Sequence, residues 1–446
     1  MLVGLLMTLI SSSNNRLIQT GTLVFGLGTS LSSLAAITAD FDASFRLRAE
    51  LKQSLDFDDA RQDYTLLRSR VGTKLVFSPQ WSLIGELQDA QVFDEDAGST
   101  PAINPNALNQ PDADDLDIHR LSLNYQAGNL KVKLGRQKLN LGDQRLVASL
   151  EWVNTARVHD GLRVDYEAGD LSINAFVTEL VSIDPNQLND GADTNNRYFD
   201  SQFNGAFLEH KGLANIDNAQ AWFLQRRNSN LDDDIYTLGL RLQERVGQWI
   251  AEAQASLQTG DFNGNSHQAA SAHISFTRPI GAGTASLGLA WASGDSDPQD
   301  NRHETFDNLY PLNHAYYGFL DLVALQNVRA IELNYKRALF KDRFKFRAAL
   351  HGFWLDDKND AWYQAGLLPV AGSFVAPQRI NNTERFVGSE VDLTVQYDVP
   401  VKGFGALSIL AGYSRFFVGD RVEPSANSAR TDDADFVYLQ VSLKLP

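Results

Sequence analysis

The chain has 446 residues, no cysteine and a formal net charge of -16. These values exclude disulfides, thiolate metal sites and cysteine nucleophiles, and they argue against a nucleic-acid partner, because phosphate binding requires a basic face. Hydrophobic residues make up 43% of the chain but fall in short alternating runs, not in the i, i+3, i+4 clusters of amphipathic helices, so helix is expected to be the minority state.

The N-terminus carries two apolar stretches, Met1 to Ile10 and Leu17 to Leu34, the second preceded by Arg16 and followed by Ala35-Ala36. This pattern reads as a secretory signal over residues 1–36, with the mature domain at 37–446. Alternating segments follow. Phe45, Leu47, Ala49 and Leu51 oppose Arg46, Arg48, Glu50 and Lys52. Val71, Leu75 and Phe77 then oppose Arg68, Arg70 and Lys74. Lys131 and Lys133 share one parity, and so do Arg157, His159, Arg163 and Asp165 on the next segment. Further along, Leu238, Leu240 and Leu242 oppose Arg241 and Arg245, Phe344 and Phe346 oppose Lys345 and Arg347, and Val437, Leu439 and Val441 oppose Tyr438 and Gln440. Period-two patterning places the two faces of each strand in different environments.

Short links such as Gly128-Asn129, Gly169-Asp170 and Gly247-Gln248 alternate with long polar ones such as Asp94 to Asp115, Asn140 to Thr155 and Gly294 to Gln326. The segments number about eighteen, and many reach the ~9 to 11 residues that cross a bilayer at a tilt. A soluble sandwich or propeller would use strands of about 5 to 6 residues. The expected fold is therefore an all-β, antiparallel transmembrane barrel in the outer membrane of a Gram-negative bacterium, with short periplasmic turns and long extracellular loops. Trp81, Trp222, Trp249, Trp291, Trp354, Tyr166, Tyr335, Tyr397 and Tyr413 lie near strand ends, where a barrel carries its aromatic girdles.

An arginine is costly against lipid, so the charged parity is assigned to the lumen. This gives Arg46, Arg48, Arg68, Arg70, Lys74, Lys131, Lys133, Arg157, Arg163, Arg241, Arg245, Lys345 and Arg347 as pore-lining cations. Many acids instead cluster in loops, so the wall is locally basic although the chain is acidic. A basic wall admits anions and holds carboxylates through guanidinium contacts. The same arginines could also staple the wall by pairing with Glu50, Glu86, Glu252, Glu332, Glu390 and Asp392. The eight histidines form no metal-binding pair at helical spacing, and neither a nucleophile elbow nor a phosphate loop occurs. Neither an enzyme nor a cofactor or metal site is expected.

Leu134-Gly135-Arg136-Gln137, Gly142-Asp143-Gln144-Arg145-Leu146-Val147, Trp152-Val153-Asn154-Thr155-Ala156-Arg157 and Asp160-Gly161-Leu162-Arg163 together resemble the alginate export family of outer-membrane proteins, and so does Phe306 to Leu322. The resemblance implies a monomeric eighteen-stranded barrel that conducts an anionic polysaccharide through an electropositive constriction without a cofactor. It places Arg136, Arg145, Arg157 and Arg163 at or near that constriction, with Asp143 and Asp160 orienting them. Ala148 stands where the family usually has glycine. The resemblance also implies outer-membrane lipid, lipopolysaccharide and the barrel-assembly machinery as partners, although the sequence ends in Lys444-Leu445-Pro446 without the aromatic that this machinery usually reads. Leu141 to Trp152 is expected to form a loop that folds inward, and Arg136, which breaks the parity of its own strand beside Gly135, is expected either to be re-aimed by a bulge or to lie above the bilayer. The alternatives are a general or small-anion and oligosaccharide uptake porin and, in other classes, a barrel hydrolase or an adhesin.

Overall fold

The computed structural model describes residues 37–94, 112–183, 188–189, 201–214, 216–373, 375–401, 405–424 and 431–445. The expected secretory signal lies outside the described residues. The first strands are β1 (Thr38–Gln53), β2 (Arg61–Val76), β3 (Trp81–Asp94), β4 (Asp114–Ala127), β5 (Leu130–Gln137) and β6 (His159–Ala168). Next come β7 (Leu171–Leu180), β8 (Ser201–Leu213), β9 (Ile216–Asn228), β10 (Asp233–Val246), β11 (Trp249–Phe262), β12 (Asn265–Ile280) and β13 (Gly283–Ala292). The chain continues through β14 (Arg302–His303), β15 (Val328–Leu339), β16 (Phe344–Leu355), β17 (Phe386–Val401), β18 (Gly405–Val418) and β19 (Ala434–Leu445).

Each wall strand pairs antiparallel with its sequence neighbour, and β1 also pairs with β19, which closes the ring. The two-residue β14 lies parallel to β12 inside a long loop, so the wall has eighteen strands, as the patterning predicts. Closure leaves no sheet edge in lipid, where an unpaired backbone group would find no water. Among the described residues the only helices are single 3-10 turns at Asn313–Ala315 and Pro377–Arg379.

Alternation sorts the side chains between lipid and lumen. Val71, Leu134, Leu238 and Leu257 are exposed on the outer face, whereas Arg46, Arg48, Glu50 and Arg70 are buried on the inner one. Trp81, Trp249, Trp291, Trp354, Tyr166, Tyr397 and Tyr413 join the outer face. Trp222 does not. It is 5% exposed and stacks on Phe207, with Leu141 and Leu146 lining the same small recess. Replacing Leu238 with arginine should cost roughly 2–4 kcal/mol if its position is near the bilayer midplane. Urea unfolding in lipid vesicles measures this cost, and an unchanged unfolding midpoint would place this belt outside the hydrocarbon.

Three long extracellular connections, β5–β6, β13–β15 and β16–β17, fold back into the barrel instead of standing above it. Leu139, Leu141, Leu146 and Val147 from the β5–β6 loop pack with Phe306, Leu309, Tyr310, Tyr317 and Phe319 from the β13–β15 loop. Trp362 and Val370 of the β16–β17 loop and the wall residues Phe176, Phe203, Phe353 and Phe416 complete one apolar cluster. The lumen of this barrel thus contains a core, built from loops that the short periplasmic turns could not supply.

Candidate pore constriction

The segments that carry the family resemblance meet in the lumen. Val147 forms a parallel bridge with Tyr310; Ala148 N–H donates to Tyr310 O at 2.8 Å, and Tyr310 N–H donates to Leu146 O at 3.0 Å. Residues 141–148 and 310–312 therefore form one unit, built from two of the stretches that carry the resemblance. The first loop begins and ends on paired strands where Gly135 lies opposite Gly161. Both have positive φ, and a Cβ at either would fall 2.3 Å or less from a neighbouring strand carbonyl, so the close approach requires glycine.

The expected cations separate into four settings. The first is a cluster on the wall formed by β1 to β4. Arg46 donates to Glu151 O at 2.6 Å and Val153 O at 3.0 Å, and Arg48 donates to Trp152 O at 2.8 Å while its guanidinium lies 3.9 Å from the Trp152 ring centroid. Arg68 and Arg70 reach the Glu151 carboxylate at 3.2 and 2.8 Å, and Lys138 reaches it at 2.6 Å. Burial alone would raise the Glu151 pKa, but Arg70, Arg68 and Lys138 hold it well below the usual carboxylate range. Glu50 pairs with Arg48 at 2.5 Å, and Glu86 pairs with Arg120 at 2.6 Å. Arg120 joins this cluster because β3 and β4 shift register at Glu86/Leu87, which places both His119 and Arg120 beside Glu86.

The second setting is the remainder of the inner wall, where each arginine has its own carboxylate. Arg241 pairs with Glu252, and Arg347 pairs with Glu332 at 3.5 Å and also donates to Asn334. Glu390 and Asp392, expected as arginine partners, instead accept from the backbone N–H groups of Leu320 (3.0 Å) and Phe319 (3.4 Å), while His351 lies 3.1 Å from Asp392. The third setting is toward the periplasmic mouth. Lys74 is exposed there opposite Asp40, Arg245 is exposed beside the β10–β11 turn, and Lys345 pairs with Asp398 at 2.7 Å. Lys131 pairs with Glu167, Arg163 pairs with Asp165, and Lys133 lies opposite Arg163.

The fourth setting corrects the sequence expectation. Arg145 and Arg157 are 4% and 2% exposed, sealed in the interface between the two loops and not facing open water. Arg145 donates to Tyr317 Oη at 2.9 Å and to Asp143 at 3.4 Å, and it stacks on Tyr316. Burial would lower its pKa, but Tyr317, Asp143 and Tyr316 hold it raised. Arg157 donates to Ala148 O at 3.1 Å beside the Tyr310 ring and has no ion pair among the described residues; burial pushes its pKa down to about 9. Arg136 lies opposite Leu121, and its partner Asp160 lies 2.9 Å away. Leu121 and Leu134 are exposed on the outer face, so this pair sits on the outer face at the extracellular rim and does not line the pore. No bulge accompanies it, because pairing is regular from Leu121↔Arg136 to Ala127↔Leu130. A strand-end position, not a re-aimed backbone, accounts for the broken parity.

Lys138 and Glu151 are absent from the sequence-based set although both lie beside its motifs. A loop has no period to mark its inward face, so only the acid next to Trp152 hinted at a contact.

The alginate export family model matches residues 37–434. No curated protein matches the sequence itself. Among solved structures the fold is similar to Pseudomonas aeruginosa OccK9 (OpdG), with a TM-score of 0.61 at 14% identity over 92% of this chain and 98% of that one. It is also similar to P. aeruginosa OccK2 (OpdF) in complex with glucuronate, with a TM-score of 0.59 at 14% identity over 91% and 96% of the two chains. P. aeruginosa OpdK with vanillate gives a TM-score of 0.59 at 15% identity over 91% and 98%. At these identities the likeness concerns the fold, which is that of outer-membrane channels. With nearly its whole length matched, the chain belongs to the alginate export family of outer-membrane β-barrel proteins.

Proposed function

We propose that this outer-membrane channel passively conducts an anionic, uronate-bearing polysaccharide or oligosaccharide, in the export direction, as a monomer embedded in outer-membrane lipid and lipopolysaccharide. The observation that carries this reading is the imbalance on the β1–β4 wall: Arg46, Arg68, Arg70 and Lys138 converge on one loop, and Glu151 is the one carboxylate paired with them among the described residues. Several cations around each carboxylate position attract a polymer and hand it on, whereas one deep site would trap it. Catalysis has no part in this reading. Two fold neighbours, OccK2 in complex with glucuronate and OpdK with vanillate, favour a second reading, uptake of small carboxylates through the same wall.

The test is a planar-bilayer measurement of ion selectivity on the purified barrel, followed by addition of polymannuronate. Anion preference with concentration-dependent block is expected. Cation preference without block at any concentration removes the reading, and block by monomeric acids but not by oligomers replaces it with the uptake reading.

A further inference from the structure

The Glu151 side chain is 40% exposed, yet its carboxylate is gripped by three cations from two separate elements: Arg68 and Arg70 from β2, and Lys138 from the start of the loop that carries Glu151. Arg68 and Arg70 share β2 and Arg46 lies opposite Arg68 on β1, so the wall presents three guanidinium groups on neighbouring positions. Two of their N–H groups, Arg46 Nε and Arg70 Nη2, are buried and have no acceptor among the described residues. A site that only stapled the loop would satisfy its donors, because an unmet buried donor is costly. The loop is in any case anchored without this carboxylate. The carbonyl oxygens of Glu151, Trp152 and Val153 accept from Arg46, Arg48 and Arg68, and Trp152 stacks on His314 with ring centroids 3.8 Å apart.

We infer that Glu151 is a tethered competitor: its carboxylate occupies the place of a sugar carboxylate on the Arg68–Arg70–Lys138 site, and conduction of a uronate requires exchange with it. This rests on the reading above and extends it to a residue that sets affinity. A carboxylate on the chain itself competes at a high effective concentration, so it prevents tight trapping and keeps each uronate contact short-lived. A charged sugar exchanges with it one for one, whereas a neutral sugar offers nothing to replace the ion pairs it would break. The device therefore also discriminates by charge.

The full-length barrel and its Glu151→Gln and Glu151→Asp variants are compared in planar bilayers, with glucuronate added against chloride current. Glu151→Gln keeps the side-chain volume and all the backbone anchors. It is expected to increase anion preference and to lower the half-blocking glucuronate concentration by about tenfold, the scale of one charge-assisted contact. Glu151→Asp keeps the charge and should stay near wild type. If wild type is anion-selective and blocked by glucuronate while Glu151→Gln behaves identically, the inference fails and the uronate reading stands. Equal shifts in both variants overturn it too, because loop disturbance then replaces charge as the cause. Cation preference and lack of block in every variant overturn the inference together with the reading on which it rests.

Discussion

Replacing Gly318 with valine is expected to raise the unitary conductance several-fold while leaving the barrel folded. Gly318 has φ +92°, and a Cβ there would lie 2.3 Å from Glu390 Oε2. The next two residues use their backbone N–H groups to dock the β13–β15 loop on the wall, Phe319 on Asp392 and Leu320 on Glu390. Phe319 in turn stacks on His314 with centroids 4.4 Å apart, and His314 stacks on Trp152, so the tips of both inward loops rest on this one turn. A side chain at position 318 cannot be accommodated by a small rotation, because the neighbour it strikes is a buried carboxylate and the backbone is left-handed. Losing the two N–H donors would leave buried acceptors unmet at roughly 1–3 kcal/mol each, enough to displace the loop but less than needed to open an eighteen-stranded ring. Single-channel recording in planar bilayers reads the conductance, and heat-modifiable migration on gels reports barrel integrity. Wild-type conductance in a folded Gly318→Val barrel would show that this turn does not occlude the channel.

The wall was legible in the sequence because lipid imposes a period of two on every strand. Arg46 and Leu47, or Arg241 and Leu242, can be sorted without knowing any contact. The lumen was legible only where a strand carries it. Glu151 and Lys138 lie in an aperiodic loop, and their meeting with Arg68 and Arg70 depends on how far that loop descends. Arg145 and Arg157 stand in recognisable motifs, yet their burial comes from a loop more than 140 residues later, through Tyr310, Pro311 and Tyr317. The motif places Arg136 near the constriction, against the parity of its own strand; parity specifies a face, but only height along the strand tells an outward residue in lipid from one at the rim. Trp222 has the composition of a girdle residue but the burial of a core one, a distinction that required the inward loop to be in place.

Replacing Arg68 and Arg70 together with glutamine is expected to bring anion preference down to near parity or reverse it. Among the described residues their cluster holds seven cations, Arg46, Arg48, Lys52, Arg68, Arg70, Arg120 and Lys138, against four carboxylates, Glu50, Glu86, Asp112 and Glu151. Removing two cations leaves the wall close to neutral. In a narrow lumen walled by protein the effective dielectric constant is nearer 20 than 80, so a charge about 4 Å from the ion path contributes roughly 4 kcal/mol before screening. Geometry also separates this cluster from the other basic positions. Arg241 has Glu252 as its partner, so removing both as Arg241→Gln with Glu252→Gln keeps the net charge and should leave selectivity unchanged. Arg302→Gln serves as the exposed control, since its side chain is 54% exposed in a long loop beside Glu304. Reversal potentials under a salt gradient give the permeability ratio for each variant. An effect of Arg302→Gln equal to that of the double variant would place the selective field in the extracellular loops, and an unchanged ratio in the double variant would remove Arg68 and Arg70 from the ion path. A fall confined to the double variant is the result that a basic wall from β1 to β4 requires.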